Sequence, residues 1–306
     1  MSLVLIRKTA PTDAWLAALR AACPGLEVRV WPDTGPVDEV EFVLTWAADP
    51  GVIASFPKLR AIFSLGAGVD HILKDGTVPT ALPVARMVDS SLTMGMVQYV
   101  TMAVLQYRRG WEAMRASQRA GLWQRPELGG TRVGILGLGE LGAASGRALA
   151  ALGFEVAGWS RSPRQVEGVQ AFSGQAQLAA FLARSDVLVC LLPLTAELEN
   201  FLGRATFDQL PRGAYLVHAG RGEHLVEADL LDALDRGQLS GAVLDVFRQE
   251  PLPAGHPFWA REDIVITPHN ASQTQPATAA AHVAANIARA RAGQPLIGQV
   301  DRTQGY

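Results

Sequence analysis

At 306 residues the chain is longer than most single hydrophobic cores, so two domains are the expectation. A composition of 49% hydrophobic and 18% charged residues suits packed α/β layers and excludes disorder. The net charge of −2, with no long run of one sign, offers nothing to nucleic acid or to an anionic membrane surface.

The N-terminal part alternates strand and helix. Residues 3–6 open as an apolar strand, 13–22 have helical periodicity that stops at Pro24-Gly25, and 26–30 read as a second strand. Short strands over 42–45 and 61–64 come next, with a helix expected over 50–56 between them. Such alternation predicts a parallel sheet. Directly after the strand at 61–64 comes Leu65-Gly66-Ala67-Gly68-Val69-Asp70, which either cradles an anion on exposed N–H groups or is an ordinary strand-to-helix turn. Residues 83–85 are the last strand of this half. Asp89 is placed to cap a helix over 94–111, apolar on one face and ending in Arg108, Arg109 and Gly110, which suits a hinge or a subunit contact. The stretch GLWQRPELGG at 121–130 breaks the pattern, so the crossing between domains falls within 89–130.

The segment TRVGILGLGELGAASGRALAAL at 131–152 organises the second half of the chain. It reads as strand, turn and helix, with Gly137, Gly139 and Gly142 forming a G-x-G-x-x-G. The first glycine allows the tight turn, the second admits a pyrophosphate to the backbone, and the third lets helix and strand pack closely. Free N–H groups at the helix start attract phosphate. A dinucleotide is implied, held by Gly137, Leu138, Gly139, Glu140, Leu141 and Gly142. Strands are then expected at 155–159, 187–192, 214–218, 242–245 and 264–267, with helices at 177–183 and 227–236, giving a doubly wound sheet. The alanine-rich helix at 277–292 comes too late for that sheet and reads as a return to the first domain. The expected division is 1–95 plus 275–306 as one domain and 96–274 as a Rossmann domain.

An acidic residue about 20 positions past the glycine turn commonly selects NAD. Here that place reads Gly158-Trp159-Ser160-Arg161-Ser162-Pro163-Arg164, and the acid is missing. Arg161 and Arg164 with Ser160 and Ser162 fit a 2′-phosphate, the alternative being that the arginines are solvated surface residues. Their place after the strand favours NADPH, with NADH still open.

Three later turns each come after a predicted strand, on the edge where doubly wound sheets bind ligands. They are His218-Ala219-Gly220-Arg221-Gly222-Glu223, the run DVFRQEPLP from Asp245 to Pro253, and Thr267-Pro268-His269-Asn270-Ala271. An arginine can hold the carboxylate and carbonyl of a 2-oxo acid with its planar fork. A histidine can protonate the carbonyl oxygen as hydride arrives, and a neighbouring carboxylate supports the charged ring.

With the glycine turn, these segments resemble the D-isomer-specific 2-hydroxyacid dehydrogenase family over nearly the whole chain. LGAGVD at 65–70, WSR at 159–161, DVFRQEPLP, TPHNA and the terminal GQVDRTQGY are similar in particular to its glyoxylate/hydroxypyruvate reductase branch. The resemblance implies two doubly wound parallel-sheet domains, a flavodoxin-like one that binds substrate and a Rossmann one that binds NAD(P). It implies that Arg221 binds and polarises the substrate, that Glu250 pairs with His269, and that His269 is the acid/base. It further implies substrate contacts from the N–H groups of Ala67, Gly68 and Val69, and cofactor contacts from Leu192, Pro193, Ala219, Gly220 and Asp245. The expected activity is reduction of small 2-oxo acids by NADPH in a cytoplasmic homodimer, without membrane or nucleic-acid partners. Lactate- or phosphoglycerate-like specificity and a non-catalytic sensing scaffold are the alternatives.

His218 stands where many family members have asparagine, and with His224 it is a rival base. His71, His256 and His282 read as solvated or packing residues. Trp46 ends a strand and either walls the substrate pocket or packs in the core. Trp123 resembles a tryptophan that some relatives lend to the neighbouring subunit, or else it is anchored on its own domain. Cys23 in a turn and Cys190 in an apolar strand read as a loop thiol and a core thiol, with no metal expected.

Overall fold

The computed structural model describes residues 2–7 and 11–306. It divides into two compact units, Met1–Thr93 with Gln273–Tyr306, and Met94–Ser272. No helix among the described residues is long and apolar enough to cross a membrane.

In the first unit β1 (Ser2–Arg7), β2 (Glu27–Val30), β3 (Val40–Trp46), β4 (Ala61–Ser64) and β5 (Val84–Ala85) form a parallel sheet in the order β2-β1-β3-β4-β5. That is the flavodoxin-like order. Successive residues of β1 enter opposite cores: Leu3 and Leu5 join Trp15 and Leu19 on one side, while Val4 and Ile6 join Ile53 and Ile62 on the other. Burial on both faces is why these strands read as continuous apolar runs. Helix Pro276–Arg291 packs on helix Asp13–Ala22, with Ala279, Ala280, Val283 and Ile287 in the same core as Leu19.

Two helical expectations need correction. Over 50–56 only one tight turn forms, Ile53–Ser55, because Gly51 lies in the left-handed region at φ +83° and the residue before Pro57 is held extended. The helix expected over 94–111 runs from Ser90 to Arg109, with the Asp89 carboxylate accepting the N–H groups of Ser91 (2.9 Å) and Leu92 (3.3 Å) as the cap. Gly110, at φ +61°, ends it, and a further helix Trp111–Arg119, which buries no residue, comes after it where the sequence analysis expects none.

In the second unit β6 (Arg132–Leu136), β7 (Glu155–Ser160), β8 (Gln170–Ser173), β9 (Val187–Cys190), β10 (Ala214–His218), β11 (Leu239–Leu244) and β12 (Ile264–Ile266) form a parallel sheet in the order β12-β11-β10-β9-β6-β7-β8. This is the Rossmann order carrying one further strand. Val187 and Val189 enter one core and Leu188 and Cys190 the other, so again both faces are covered. The edge strand β8 is not expected from the sequence, because it has no fully buried residue and no apolar run. Strand order reverses between β6 and β9, which opens a crevice at their carboxyl ends.

Candidate active site

Arg221, Glu250 and His269 come after β10, β11 and β12, three neighbouring strands, at one edge of the seven-stranded sheet. His269 Nδ1 lies 2.7 Å from Glu250 Oε2, and the Phe247 N–H donates to Glu250 Oε1 at 2.9 Å, so both carboxylate oxygens are held. Burial works against ionisation of Glu250, but the hydrogen bonds from His269 and Phe247, with the His269 and Arg221 charges, outweigh it and keep the carboxyl below its usual range.

His269 sits at φ +50°, a left-handed conformation that costs a non-glycine residue about 1–3 kcal/mol. A buried carboxylate holds it there. Asp245 is 1% exposed; its Oδ1 accepts from Thr267 Oγ1 (2.6 Å) and the Asn270 N–H (2.9 Å), and its Oδ2 from the Ala271 N–H (2.9 Å). The His269 N–H donates to the Asp245 carbonyl at 2.9 Å, and the Tyr99 hydroxyl meets Thr267 Oγ1 at 2.7 Å. Asp245, expected as a cofactor contact, thus has both oxygens committed to the loop that carries His269. This anchoring role and that of Tyr99 escape the sequence reading, whose one signal is an acid ending an apolar run.

Arg221 is clamped from below by two imidazoles. Its N–H donates to His224 Nδ1 (3.1 Å), its carbonyl accepts from His218 Nε2 (2.8 Å), and its own Nη1 donates to the Gly220 carbonyl (2.8 Å). His224 Nε2 in turn meets the Pro193 carbonyl at 3.2 Å. Both rings are fully buried, and burial lowers both: His218 is pushed down to about 3, and His224 also lies below its ordinary value. The two rival bases therefore support the arginine turn and have no surface open to solvent. Gly222, next to Arg221, has no room for a side chain, since a Cβ there would overlap the Phe247 carbonyl group and the Arg248 nitrogen.

On the other side of the crevice the glycines divide their work. Gly137 has φ +99°, and a Cβ on it would meet the Leu191 carbonyl at 2.8 Å; a Cβ on Gly142 would overlap the Gly137 carbonyl oxygen. Gly139 faces open space, with no atom within 4 Å of a Cβ. Helix Glu140–Ala151 begins there without a side-chain cap, so its first N–H groups remain for an anion. Leu138 packs on Gly158 of β7, Ser160 Oγ donates to the Ser162 carbonyl (2.7 Å), and Arg164 Nη1 reaches back to the Leu138 carbonyl (3.4 Å). Arg161 is exposed in the same turn. Leu192 and Pro193 come after β9, and Ala219 and Gly220 after β10, beside the β6 turn. An open glycine, an uncapped helix start and two arginines suit a dinucleotide with a 2′-phosphate.

In the first unit, Ser64 Oγ donates to the Gly68 carbonyl (2.7 Å) and accepts the Gly66 N–H (3.2 Å), which folds 65–69 into a compact loop after β4. The N–H groups of Ala67, Gly68 and Val69 find no acceptor among the described residues. Trp46 ends β3, lies against Gly66 and is tilted over His71 with ring centroids 4.7 Å apart. Trp123 is 103% exposed, so it is not anchored on its own domain.

Residues 101–271 match the family model described as D-isomer specific 2-hydroxyacid dehydrogenase, NAD binding domain. Across 317 residues the chain is 41% identical to glyoxylate/hydroxypyruvate reductase A of Serratia proteamaculans, covering 100% of both. It is similar, at TM-score 0.96 and 40% identity over 100% of this chain and 99% of the other, to a D-isomer specific 2-hydroxyacid dehydrogenase from Xanthobacter autotrophicus crystallised with NADPH and MES. An NADPH-dependent glyoxylate/hydroxypyruvate reductase from Sinorhizobium meliloti, crystallised with NADP and sulfate, matches with TM-score 0.93 and 38% identity over 100% of both chains.

Proposed function

The chain belongs to the D-isomer-specific 2-hydroxyacid dehydrogenase family of NAD(P)-dependent oxidoreductases, and on that premise we propose that it is an NADPH-preferring reductase of small 2-oxo acids, taking glyoxylate to glycolate and hydroxypyruvate to D-glycerate. The observation that carries this reading is the 2.7 Å contact of His269 with Glu250 on the sheet edge that also presents Arg221. In this reading 1–95 with 275–306 binds substrate and 96–274 binds cofactor.

The Arg221 fork is assigned the carboxylate and carbonyl oxygen of the substrate, and in the first unit the N–H groups of Ala67, Gly68 and Val69 and the Trp46 ring are assigned substrate contacts. Bound NADPH would supply the hydride. Glu250 accepts from His269 Nδ1, which makes Nε2 the ring atom that delivers a proton to the carbonyl oxygen as charge develops there. Gly137 to Gly142 would hold the pyrophosphate, Ser160, Arg161, Ser162 and Arg164 the 2′-phosphate, and Leu192, Pro193, Ala219, Gly220 and the Asp245 turn the nicotinamide end. Monitoring NADPH absorbance with glyoxylate, hydroxypyruvate, pyruvate and a phosphorylated 2-oxo acid tests the assignment. Fastest turnover on the first two is expected. A preference for either of the others would assign a different specificity, and no turnover despite cofactor binding would make the chain a sensing scaffold.

The double variant Arg161→Ala/Arg164→Ala should raise KM for NADPH by roughly 10- to 100-fold, the loss of one or two charge-assisted hydrogen bonds. KM for NADH should move by less than about threefold, because NADH brings no phosphate to these side chains. Equal effects on both cofactors would argue against the assignment of these arginines.

A homodimer and a cytoplasmic site of action, where reduced NADPH is drawn upon, complete the proposal. Val97, Met102 and Leu105 of helix Ser90–Arg109 line an apolar groove with Ala148 and Leu152, and Met102 (45%), Leu105 (36%) and Leu152 (55%) are exposed. A second copy of the chain is the occupant we assign to it. Sedimentation should give twice the chain mass of 32.7 kDa, and Leu105→Asp should shift it to one chain. A native chain that sediments as a monomer would refute the dimer.

A further inference from the structure

A thiol and two imidazoles meet beneath the Arg221 turn. Cys190 ends β9, His218 is its partner in register on β10, and His224 comes from the tight turn Gly222–His224. One donor atom of each lies within 4.8 Å of the others, and all three residues are 0% exposed.

Hydrogen bonds decide which ring atoms are on offer. Nε2 of His218 and Nε2 of His224 each meet a carbonyl, of Arg221 and of Pro193, so each carries the hydrogen and donates it. The lone pair of each neutral ring is then on Nδ1. Nδ1 of His218 is buried without a well-formed hydrogen bond, a costly condition for a polar atom, and Nδ1 of His224 accepts from the Arg221 N–H. An imidazole whose second nitrogen is tied to a backbone carbonyl has the orientation that metal-bound histidines have. A thiolate with imidazoles selects soft cations such as Cu⁺ and Zn²⁺ over hard ones.

We propose that Cys190, His218 and His224 form a binding site for a thiophilic d¹⁰ cation, Zn²⁺ or Cu⁺, whose occupancy withdraws support from Arg221. Cys190 Sγ loses its proton to solvent and binds the cation as thiolate, together with Nδ1 of each ring. Thiolate formation and cation binding are therefore one coupled step that releases a proton. The single Nδ1 lone pair of His224 cannot bind a cation and accept the Arg221 N–H together. His224 Nδ1 then leaves the Arg221 N–H, and the arginine turn loses one of its two imidazole contacts. No local spacing motif marks this cluster, since the pairing of β9 with β10 assembles it.

Calorimetric titration of the intact chain with Zn²⁺, and with Cu⁺ under anaerobic conditions, should show one cation bound per chain for at least one of the two. Co²⁺ as a spectroscopic stand-in should produce a thiolate-to-metal absorption band. Cys190→Ala should weaken binding by roughly 100-fold or more and abolish the band, and His218→Asn should weaken it at least tenfold. Cys23→Ser, at the other free thiol, should change neither. Basal NADPH-dependent turnover of Cys190→Ala should equal that of the native chain, while saturating cation should slow only the native chain, roughly tenfold, reversibly on chelation. Should Cys190→Ala fail to fold, His218→Asn and the absorption band decide the matter. Absence of binding by both cations, or unchanged affinity in the folded variants, overturns the site. Binding without inhibition overturns its link to Arg221. That link alone rests on the reductase reading, and a chain that turns over no 2-oxo acid before any cation is added would sink that reading while leaving the binding result to stand.

Discussion

His269→Gln should bind NADPH as the native chain does and reduce its 2-oxo acid about 10²- to 10⁴-fold more slowly, the range usually lost with a general acid. Glutamine can still donate to Glu250 Oε2, which now lies 2.7 Å from the ring, so the loop keeps its main tether. The variant lacks a group able to give up a proton near neutral pH. Stopped-flow measurement of kcat with a separate cofactor-binding titration checks both halves, and normal turnover would return the proton-transfer role to another group. Glu250→Gln should be less severe, because it removes the support for the charged ring and leaves the ring. Glu250 is depressed on folding, its ion-pair and hydrogen bonds outweighing burial. Its contribution to stability is therefore complete above the unfolded carboxyl value of about 4.3 and is lost as pH falls through the lower folded value. Melting temperature against pH should accordingly fall less steeply on the acid side for Glu250→Gln than for the native chain.

Gly222→Ala should be among the most damaging single-methyl changes in the molecule, costing about 3 kcal/mol or more of stability and more than tenfold in kcat. The added Cβ would overlap the Phe247 carbonyl and the Arg248 nitrogen, which are backbone and cannot turn away as a side chain would. The strain falls on both sides of the site at once. Arg221 immediately precedes the new methyl, and the Phe247 N–H fixes Glu250 Oε1 at 2.9 Å. Gly139→Ala is the contrasting change. Its Cβ meets nothing within 4 Å, so urea denaturation should be unaltered, while NADPH affinity should drop because the methyl fills space the pyrophosphate would use. Equal stability of the two variants would contradict this division of the glycines.

The two sheets and the three loops bearing Arg221, Glu250 and His269 are legible in the sequence because buried parallel strands announce themselves as apolar runs and their carboxyl ends carry the polar interruptions. The strands at 61–64 and 214–218 form with those bounds. The features that stay hidden depend on partners distant in sequence or on the absence of burial. Nothing near Asp245 indicates that it will bind Thr267, Asn270 and Ala271, nor does anything near Tyr99 point to Thr267. Helix Trp111–Arg119 is a nine-residue segment that comes directly after the Gly110 break and buries no residue, so nothing in a core marks it as a separate element. The meeting of Cys190 with His218 and His224 is a product of strand pairing, which local patterns do not encode. His218 in place of the family's usual asparagine reads as a minor polar change until its ring is seen bonded to the Arg221 carbonyl.

Within the seven-stranded sheet, the strand that leads to His269 is also the one with the fewest ties. Ile264–Ile266 is three residues long, lies at the sheet margin and pairs with one neighbour. Free-energy differences between local opening and global unfolding are set by such ties. Fraying at this margin would disable proton delivery while the remaining six strands stay intact. Amide deuterium uptake should accordingly be faster at 264–270 than in β9 or β10, and inactivation by heat should set in before the cooperative melt.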